Sequence, residues 1–131
     1  MPLIGFKKRF APMVESGKKR QTIRAKRRDG RNPHPGETLY LYTGLRTKGC
    51  RKIGQVFCKS VTEIVVTRRG IILAGEWVTS AEADQIAIAD GFGSYSELWD
   101  FVEREHHMMS IEDTSGFWGL LIKWEMEKVT P

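Results

Sequence analysis

Short runs of aliphatic and aromatic residues predict β-strands through the first half and the middle of the chain. Arg68, Arg69 and Gly70 predict a hairpin turn between the last two of these runs. The predicted extended segments are Leu3–Phe6, Thr22–Arg24, Leu39–Thr43, Ile53–Thr62, Glu63–Thr67 and Ile71–Leu73.

Two segments have the features of helices that end at a glycine. Ala11–Ser16 is followed by Gly17, and the second segment, Ser80–Asp90, consists of good helix formers and is followed by Gly91. Glycine is common after the last residue of a helix because it adopts the left-handed conformation without strain. We therefore predict helices that end before Gly17 and before Gly91.

A third helix is predicted to begin at a capping box. Ser94 and Glu97 stand three residues apart, so each side chain can accept a hydrogen bond from an unpaired backbone N–H at the helix start. One stripe of apolar residues follows on the helix surface: Leu98, Phe101 and Val102.

The last apolar segment alternates as a half-buried strand does. We expect Trp118 and Trp124 to belong to the core, because both lie on the apolar side of this alternation. The apolar side comprises Trp118, Leu120, Ile122, Trp124 and Met126, and the polar side comprises Lys123, Glu125 and Glu127.

This order of elements predicts a single α+β domain. A strand, a helix, several strands, two helices and a final strand do not follow simple βαβ alternation, so the sheet is expected to be small and largely antiparallel, open or closed into a barrel. The 131 residues suffice for one domain with a core, residues 1–131. The two cysteines, Cys50 and Cys58, are too few for a disulfide scaffold and are expected to be reduced, although a pair across adjacent strands is the alternative.

Charge is divided unevenly along the sequence. The net charge is +5, but residues 1–69 carry 18 Lys/Arg against 4 Asp/Glu, whereas residues 70–131 carry 3 against 12. Such asymmetry indicates a positive face for an anionic partner, and the alternative is that the two halves neutralise each other in the fold. No run of about 20 apolar residues or signal-peptide pattern occurs, so no membrane association and a cytoplasmic location are expected.

The stretch Gly17–Arg24 carries the most chemistry. Three consecutive cations, Lys18, Lys19 and Arg20, follow the glycine, and Thr22 and Arg24 alternate toward one side of an extended segment. Such a cluster can hold a phosphate or polarise a carbonyl group. The alternative interpretation is an exposed basic turn without a ligand.

Gly-x-Lys-x-x-Thr-Ile-Arg, from Gly17 to Arg24, resembles the signature of the ASCH domain, a relative of the PUA RNA-binding module. The segments Pro35–Leu39, Ala89–Phe92 and Ser96–Leu98 are similar to further parts of that family, and so is the aromatic-rich last strand. The resemblance implies a PUA-like small β-barrel with two or three peripheral helices and a cleft lined by the Gly17–Arg24 motif.

Some small bacterial ASCH proteins are amidohydrolases that act on N4-acylated cytidine, and the resemblance implies Lys19, Thr22 and Asp90 as the catalytic set in this chain. Lys19, with its pKa lowered by Lys18 and Arg20, would take the proton of Thr22, which would attack the acyl carbonyl. Asp90 stands where the family enzymes use glutamate, which shortens the reach of the carboxylate by one methylene. Another ASCH protein is a ribonuclease, so hydrolysis of RNA is a further alternative.

We expect recognition of RNA or a nucleotide-like ligand, because the basic excess exceeds what an uncharged nucleoside needs. The ligand-binding set would be Gly17, Lys18, Lys19, Arg20, Thr22 and Arg24, with Tyr40 or Tyr42 stacking on an unpaired base. The cations that would follow the phosphate backbone are Lys26, Arg27, Arg28, Arg31, Arg46, Lys48, Arg51 and Lys52. Adjacent His106 and His107 would diverge on a helix, so we expect no metal site there. No cofactor is expected either. The sequence does not indicate the oligomeric state.

Overall fold

The computed structural model describes residues 3–27, 29–106 and 116–126. Within these ranges the chain forms seven strands and three helices. The strands are β1 (Leu3–Phe6), β2 (Gln21–Ala25), β3 (Thr38–Thr43), β4 (Arg51–Thr67), β5 (Gly70–Leu73), β6 (Glu76–Trp77) and β7 (Phe117–Met126). The helices are α1 (Ala11–Glu15), α2 (Ser80–Ala89) and α3 (Tyr95–His106).

The strands form a mixed, largely antiparallel sheet, which confirms the predicted α+β class. The neighbours follow the order β1, β3, β4, β5, β6, and β7 pairs with both β2 and β4. β1 is parallel to β3, whereas the pairs β3–β4, β4–β5 and β5–β6 are antiparallel. The pairings among the described strands do not close into a ring, so the predicted barrel is not confirmed.

The chain divides into two compact units, each built from separate segments. The first, which we call the basic unit, comprises Met1–Thr22, Arg27–Val61 and Ile122–Pro131. The second, which we call the acidic unit, comprises Ile23–Lys26 and Thr62–Leu121. Strands β2, β4 and β7 each contribute residues to both units. The interpretation of residues 1–131 as one domain stays a prediction.

The basic unit has an apolar core under β1, β3 and β4. The buried residues alternate along β3 with half-buried ones, as expected for a strand with one face in the core. Phe6 of β1 and Trp124 of β7 meet edge to face, with ring centroids 6.0 Å apart, which confirms that Trp124 belongs to the core. Further core residues of this unit are Ile4, Leu39, Leu41, Val56 and Ile122.

The acidic unit packs α2 and α3 around Phe92 and Phe101, whose ring centroids are 5.2 Å apart. The Thr79 hydroxyl accepts a hydrogen bond from the Glu82 N–H at 3.1 Å and caps α2. At α3, the Ser94 hydroxyl accepts from the backbone N–H of Glu97, as the capping box predicts.

The last strand differs from the prediction on its exposed and buried faces. Trp118 is 71% exposed and Leu121 is 1% exposed, so the prediction of Trp118 as a core residue is wrong. The physical reason is that residues 119–122 are buried in succession, so both faces are covered in the middle of β7, and the covered face at Phe117 and Trp118 is the opposite of the one predicted. The side chain of Met126 and all of Glu127 lie outside the described part.

β4 is one continuous strand rather than two, and the two-residue strand β6 was not predicted. Cys50 is exposed, Cys58 is buried, and both are free thiols. Burial raises the pKa of the Cys58 thiol above its ordinary value.

In the part of the chain that the structure describes, no helix has the length and apolar character needed to cross a membrane.

Tyr95 fastens the first turn of α3 to the β4–β5 hairpin. Its hydroxyl group donates to the carbonyl oxygens of Thr67 and Gly70, the latter at 2.9 Å. Burial raises the pKa of this hydroxyl well above its ordinary value.

We expect Tyr95→Phe to lower the free energy of unfolding by about 1 kcal/mol, because the one hydroxyl proton shared by the Thr67 and Gly70 carbonyl oxygens is lost, while Gly70 O keeps the Thr67 hydroxyl as a donor at 2.8 Å. Above pH 10 or so, the unfolded chain releases this phenolic proton while the folded chain retains it, so wild-type stability should fall as the pH rises. The Tyr95→Phe variant has no phenolic proton at this position, so its stability should fall less over the same pH range. Urea unfolding at pH 7 and at pH 10.5 or so measures both effects, and equal unfolding free energies for the two proteins at both pH values would count against this role.

Candidate nucleic-acid interface

The two units carry opposite net charges, as the two halves of the sequence do. The sequence of the basic unit carries 16 Lys/Arg against 5 Asp/Glu, a balance of +11, and that of the acidic unit carries 5 against 11, a balance of −6. Even if all five carboxylates of the basic unit are paired with cations, the unit keeps a large positive excess. A concentrated field of one sign attracts ligands of the opposite sign.

Most of the cations predicted to bind the ligand or to follow the phosphate backbone lie on the surface of the basic unit. Arg24 is half-buried and Lys26 is exposed, and these two belong to the acidic unit; Arg28 lies outside the described residues. The exposed members in the basic unit are Lys18, Arg20, Arg27, Arg31, Arg46, Lys48, Arg51 and Lys52.

Some of these cations are held by neighbouring groups. Arg51 donates to a Glu15 carboxylate oxygen at 2.8 Å, and this hydrogen bond holds the pKa of Glu15 below its ordinary value. In the acidic unit, Lys26 pairs with Glu63 at 2.5 Å and lowers the pKa of that carboxyl in the same way. All four side chains are substantially exposed, so water screens both pairs and each adds little stability.

Gly17 shapes the turn between α1 and β2. Its φ of +80° is in the left-handed region, which confirms the predicted glycine after α1. The backbone N–H of Lys19 donates to Met13 O at 3.0 Å, and the side chain of Arg20 donates to Gly17 O at 2.9 Å. The Arg20 guanidinium therefore lies against this turn.

Lys19 and Thr22 are interior rather than surface residues. They are 3% and 4% exposed. The Lys19 ammonium group lies 5.2 Å from the ring centroid of Phe10 and 5.8 Å from that of Phe6, within the range of cation–π attraction. In this structure, therefore, the exposed cations present a ligand surface and Lys19 and Thr22 do not. The catalytic roles of Lys19 and Thr22 stay predictions.

Asp90 lies at the end of α2 in the acidic unit. It is 6% exposed, and its backbone N–H donates to the carbonyl oxygens of Ile86 and Ala87, which closes the helix before Gly91. Gly91 has a φ of +103°, as predicted for the residue after a helix. The role of Asp90 as a catalytic acid also stays a prediction.

Tyr40 and Tyr42 project from one face of β3 and are both half-buried. The Lys52 ammonium group lies 5.2 Å from the ring centroid of Tyr40 and also donates to Gln55 Oε1 at 2.7 Å. The structure therefore brings one predicted stacking residue together with one predicted phosphate-binding residue.

The basic loop surrounds a depression of about 430 Å³. Oxygen atoms of its side chains hold the loop backbone: Asn32 Oδ1 accepts from the Arg27 N–H and Asp29 Oδ1 from the Arg31 N–H. Its lining comprises Arg27, Asp29, Gly30, Arg31, Asn32, His34 and Glu37. Arg27 and Arg31 can donate to a phosphate group there, while the carboxylates of Asp29 and Glu37 accept from the backbone N–H groups of Arg31 and His34.

A second depression, of about 410 Å³, lies where the parallel strands β1 and β3 end. Lys7 and Lys8 line it, and sequence reasoning did not select them, although they begin a run of three cations directly after β1. Thr43 donates to Phe6 O at 2.9 Å and joins the two strand ends. A predicted strand followed directly by three basic residues is the sequence signal that could have identified Lys7 and Lys8.

Fold and surface together define an α+β protein with a strongly basic unit that presents exposed cations and half-buried tyrosines. The chain matches no family model, and no curated protein or solved structure is significantly similar to it. Membership of the ASCH family therefore stays a prediction.

Proposed function

We propose that the chain binds RNA through the exposed cations of its basic unit. The observation that carries this proposal is the balance of +11 in that unit, opposite to the balance of −6 in the other. Phosphate contacts dominate the affinity of proteins for nucleic acids, and each contact releases condensed counterions from the strand. Exposed lysine and arginine side chains supply such contacts without a buried pocket.

Under this proposal the protein is an ASCH domain with a PUA-like barrel and acts in the cytoplasm. The RNA lies over the surface of the basic unit rather than around Lys19 and Thr22, since those two side chains are buried. The depression at the basic loop takes one phosphate group, and the guanidinium groups of Arg27 and Arg31 donate to its oxygens.

Two triple variants with the same net charge test the proposal. The first replaces three exposed cations of the basic unit by glutamine, and the second does the same in the acidic unit. The substitutions are Lys18→Gln, Arg31→Gln and Lys48→Gln in the first, and Arg68→Gln, Arg69→Gln and Arg104→Gln in the second.

We expect the first variant to bind a 12-nucleotide RNA at least tenfold more weakly than the wild type at 100 mM salt, because phosphate contacts are lost. The second variant should bind within about threefold of the wild type if the RNA contacts the basic unit alone. Fluorescence anisotropy of an end-labelled RNA measures the dissociation constants. Equal losses in the two variants would mean that only net charge matters, and the proposed interface would be wrong.

A further inference from the structure

One face of strands β1, β3 and β4 in the basic unit is open, whereas the other face covers the core. Tyr40 is paired with Leu3 of β1 and with Gln55 of β4, and Tyr42 is paired with Gly5 and Lys52. Directly paired residues point to the same side of a sheet, so these side chains share one face. Phe57, paired with Thr38, belongs to the same face.

Apolar side chains of this face are exposed to solvent. Phe57 is 42% exposed and Leu3 is 46% exposed, while Tyr40 and Tyr42 are half-buried. The residues between them point to the opposite side and are buried: Ile4, Leu39, Leu41 and Val56. A contiguous patch of apolar side chains on one sheet face is typical of a binding surface.

Positive groups lie at two edges of the face. On β4, the Lys52 ammonium group lies 5.2 Å from the ring centroid of Tyr40, and beside β1 the Arg27 guanidinium donates to Leu3 O at 3.0 Å. At one end, the Leu45 side chain occupies the space that a side chain at Gly5 would need. The face is thus an aromatic surface bounded by cations, in a unit whose charge would repel a second copy of itself.

The spacing of the rings favours unpaired bases. Tyr40 and Tyr42 are two residues apart on one strand, about 6.6 Å, whereas stacked bases in a duplex rise by only about 3.4 Å per nucleotide. Bases that contact both rings must therefore be separated from each other, as they are in an extended single strand. Aromatic residues of an open sheet stack with bases in this way in other RNA-binding modules.

We propose that this face is a stacking platform for single-stranded RNA. Tyr40, Tyr42 and Phe57 stack with successive bases, and Lys52 and Arg27 contact the phosphates on either side. The inference rests on the proposed function, and it adds a preference for unpaired over paired RNA that the cations alone do not give.

Substitution of two rings tests the platform. The double variant combines Tyr42→Leu and Phe57→Leu, which keep apolar bulk but remove the aromatic faces. Its matched control combines Trp77→Leu and Trp118→Leu, two aromatic residues of the acidic unit that are 60% and 71% exposed. Unchanged thermal unfolding midpoints show that both variants are folded.

We expect the double variant to bind a 12-nucleotide oligouridine about tenfold more weakly for each ring removed, and the control to bind as the wild type does. The salt dependence should not change, because the phosphate contacts remain. Wild-type protein should also bind the single strand at least tenfold more tightly than a duplex of equal length.

The outcomes separate this inference from the proposed function. If the double variant and duplex RNA both bind as tightly as wild type binds the single strand, the platform is wrong while RNA binding stands. If the wild type binds neither RNA, both are wrong. Photocrosslinking of wild-type protein to 5-iodouridine RNA gives a second measurement without variants: crosslinks at Tyr40, Tyr42 or Phe57 support the platform, and crosslinks confined to Trp77 or Trp118 overturn it.

Discussion

Binding of a single-stranded RNA to this chain is expected to weaken about 300-fold when the salt concentration rises from 50 to 200 mM. The reason is counterion release, which gives a logarithmic slope of about −0.7 for each phosphate contact on a single strand. Six contacts from the exposed cations of the basic unit give a slope of about −4. No other property of the surface produces so large an effect, because stacking of bases on tyrosine rings depends little on salt.

Dissociation constants at four or five salt concentrations measure this slope. An oligonucleotide analogue with an uncharged backbone provides the control, because it keeps the bases and removes the phosphates. Its binding should be weak and nearly independent of salt. A flat response of the RNA itself would show that the excess of cations is not used for phosphate contacts.

Gly119→Ala is expected to destabilise the acidic unit by about 3 kcal/mol, because the added methyl group has no room. At this position of β7, a Cβ atom would overlap the carbonyl oxygen of Arg24 on β2 and lie 2.8 Å from a ring carbon of Phe117. A backbone carbonyl cannot rotate away as a flexible side chain does, so the two strands must separate. Glycine is required at this position by the close approach of two backbones.

Gly49→Ala is the matched control for that substitution. Gly49 is exposed, and the nearest atom to a Cβ there is the Thr47 hydroxyl at 3.7 Å, an ordinary contact distance. The free energy of unfolding of the Gly49→Ala variant should differ from that of the wild type by less than about 0.5 kcal/mol. Urea unfolding of both variants at pH 7 gives the comparison, and an equal free energy of unfolding for Gly119→Ala and wild type would contradict the packing described for β7.

The elements that the sequence predicted correctly are those with strong local signals. Gly17 and Gly91 follow helices and adopt positive φ values, and Arg68 and Arg69 form the two-residue turn between β4 and β5. Local turn chemistry and apolar periodicity fix such features before any tertiary contact forms.

The features that the sequence did not predict depend on long-range packing. Trp118 has the periodicity of a core residue, but tertiary packing on the sheet decides which face of β7 is covered at each position. Lys19 stands between two other cations in the sequence, which predicts a place at an open cleft, yet it is buried beside the rings of Phe6 and Phe10. The open face around Tyr40 could not be foreseen either, because it requires the registers of β1 and β4 against β3.

The division of charge was visible in the sequence, and the structure refines where its boundary falls. Ion pairs such as Lys26 with Glu63 and Arg51 with Glu15 join residues 36 or 37 positions apart, so sequence alone cannot tell which cations are engaged. What the sequence does establish is the number of carboxylates, which is too small in the basic unit to offset its cations.

The salt slopes of the two triple variants test the central claim most directly. Loss of three phosphate contacts at Lys18, Arg31 and Lys48 should make the slope shallower by about 2, whereas loss of the three arginines of the acidic unit should leave it at the wild-type value. If the acidic-unit variant shows the shallower slope and the basic-unit variant does not, RNA contacts the acidic unit and binding through the basic unit is contradicted.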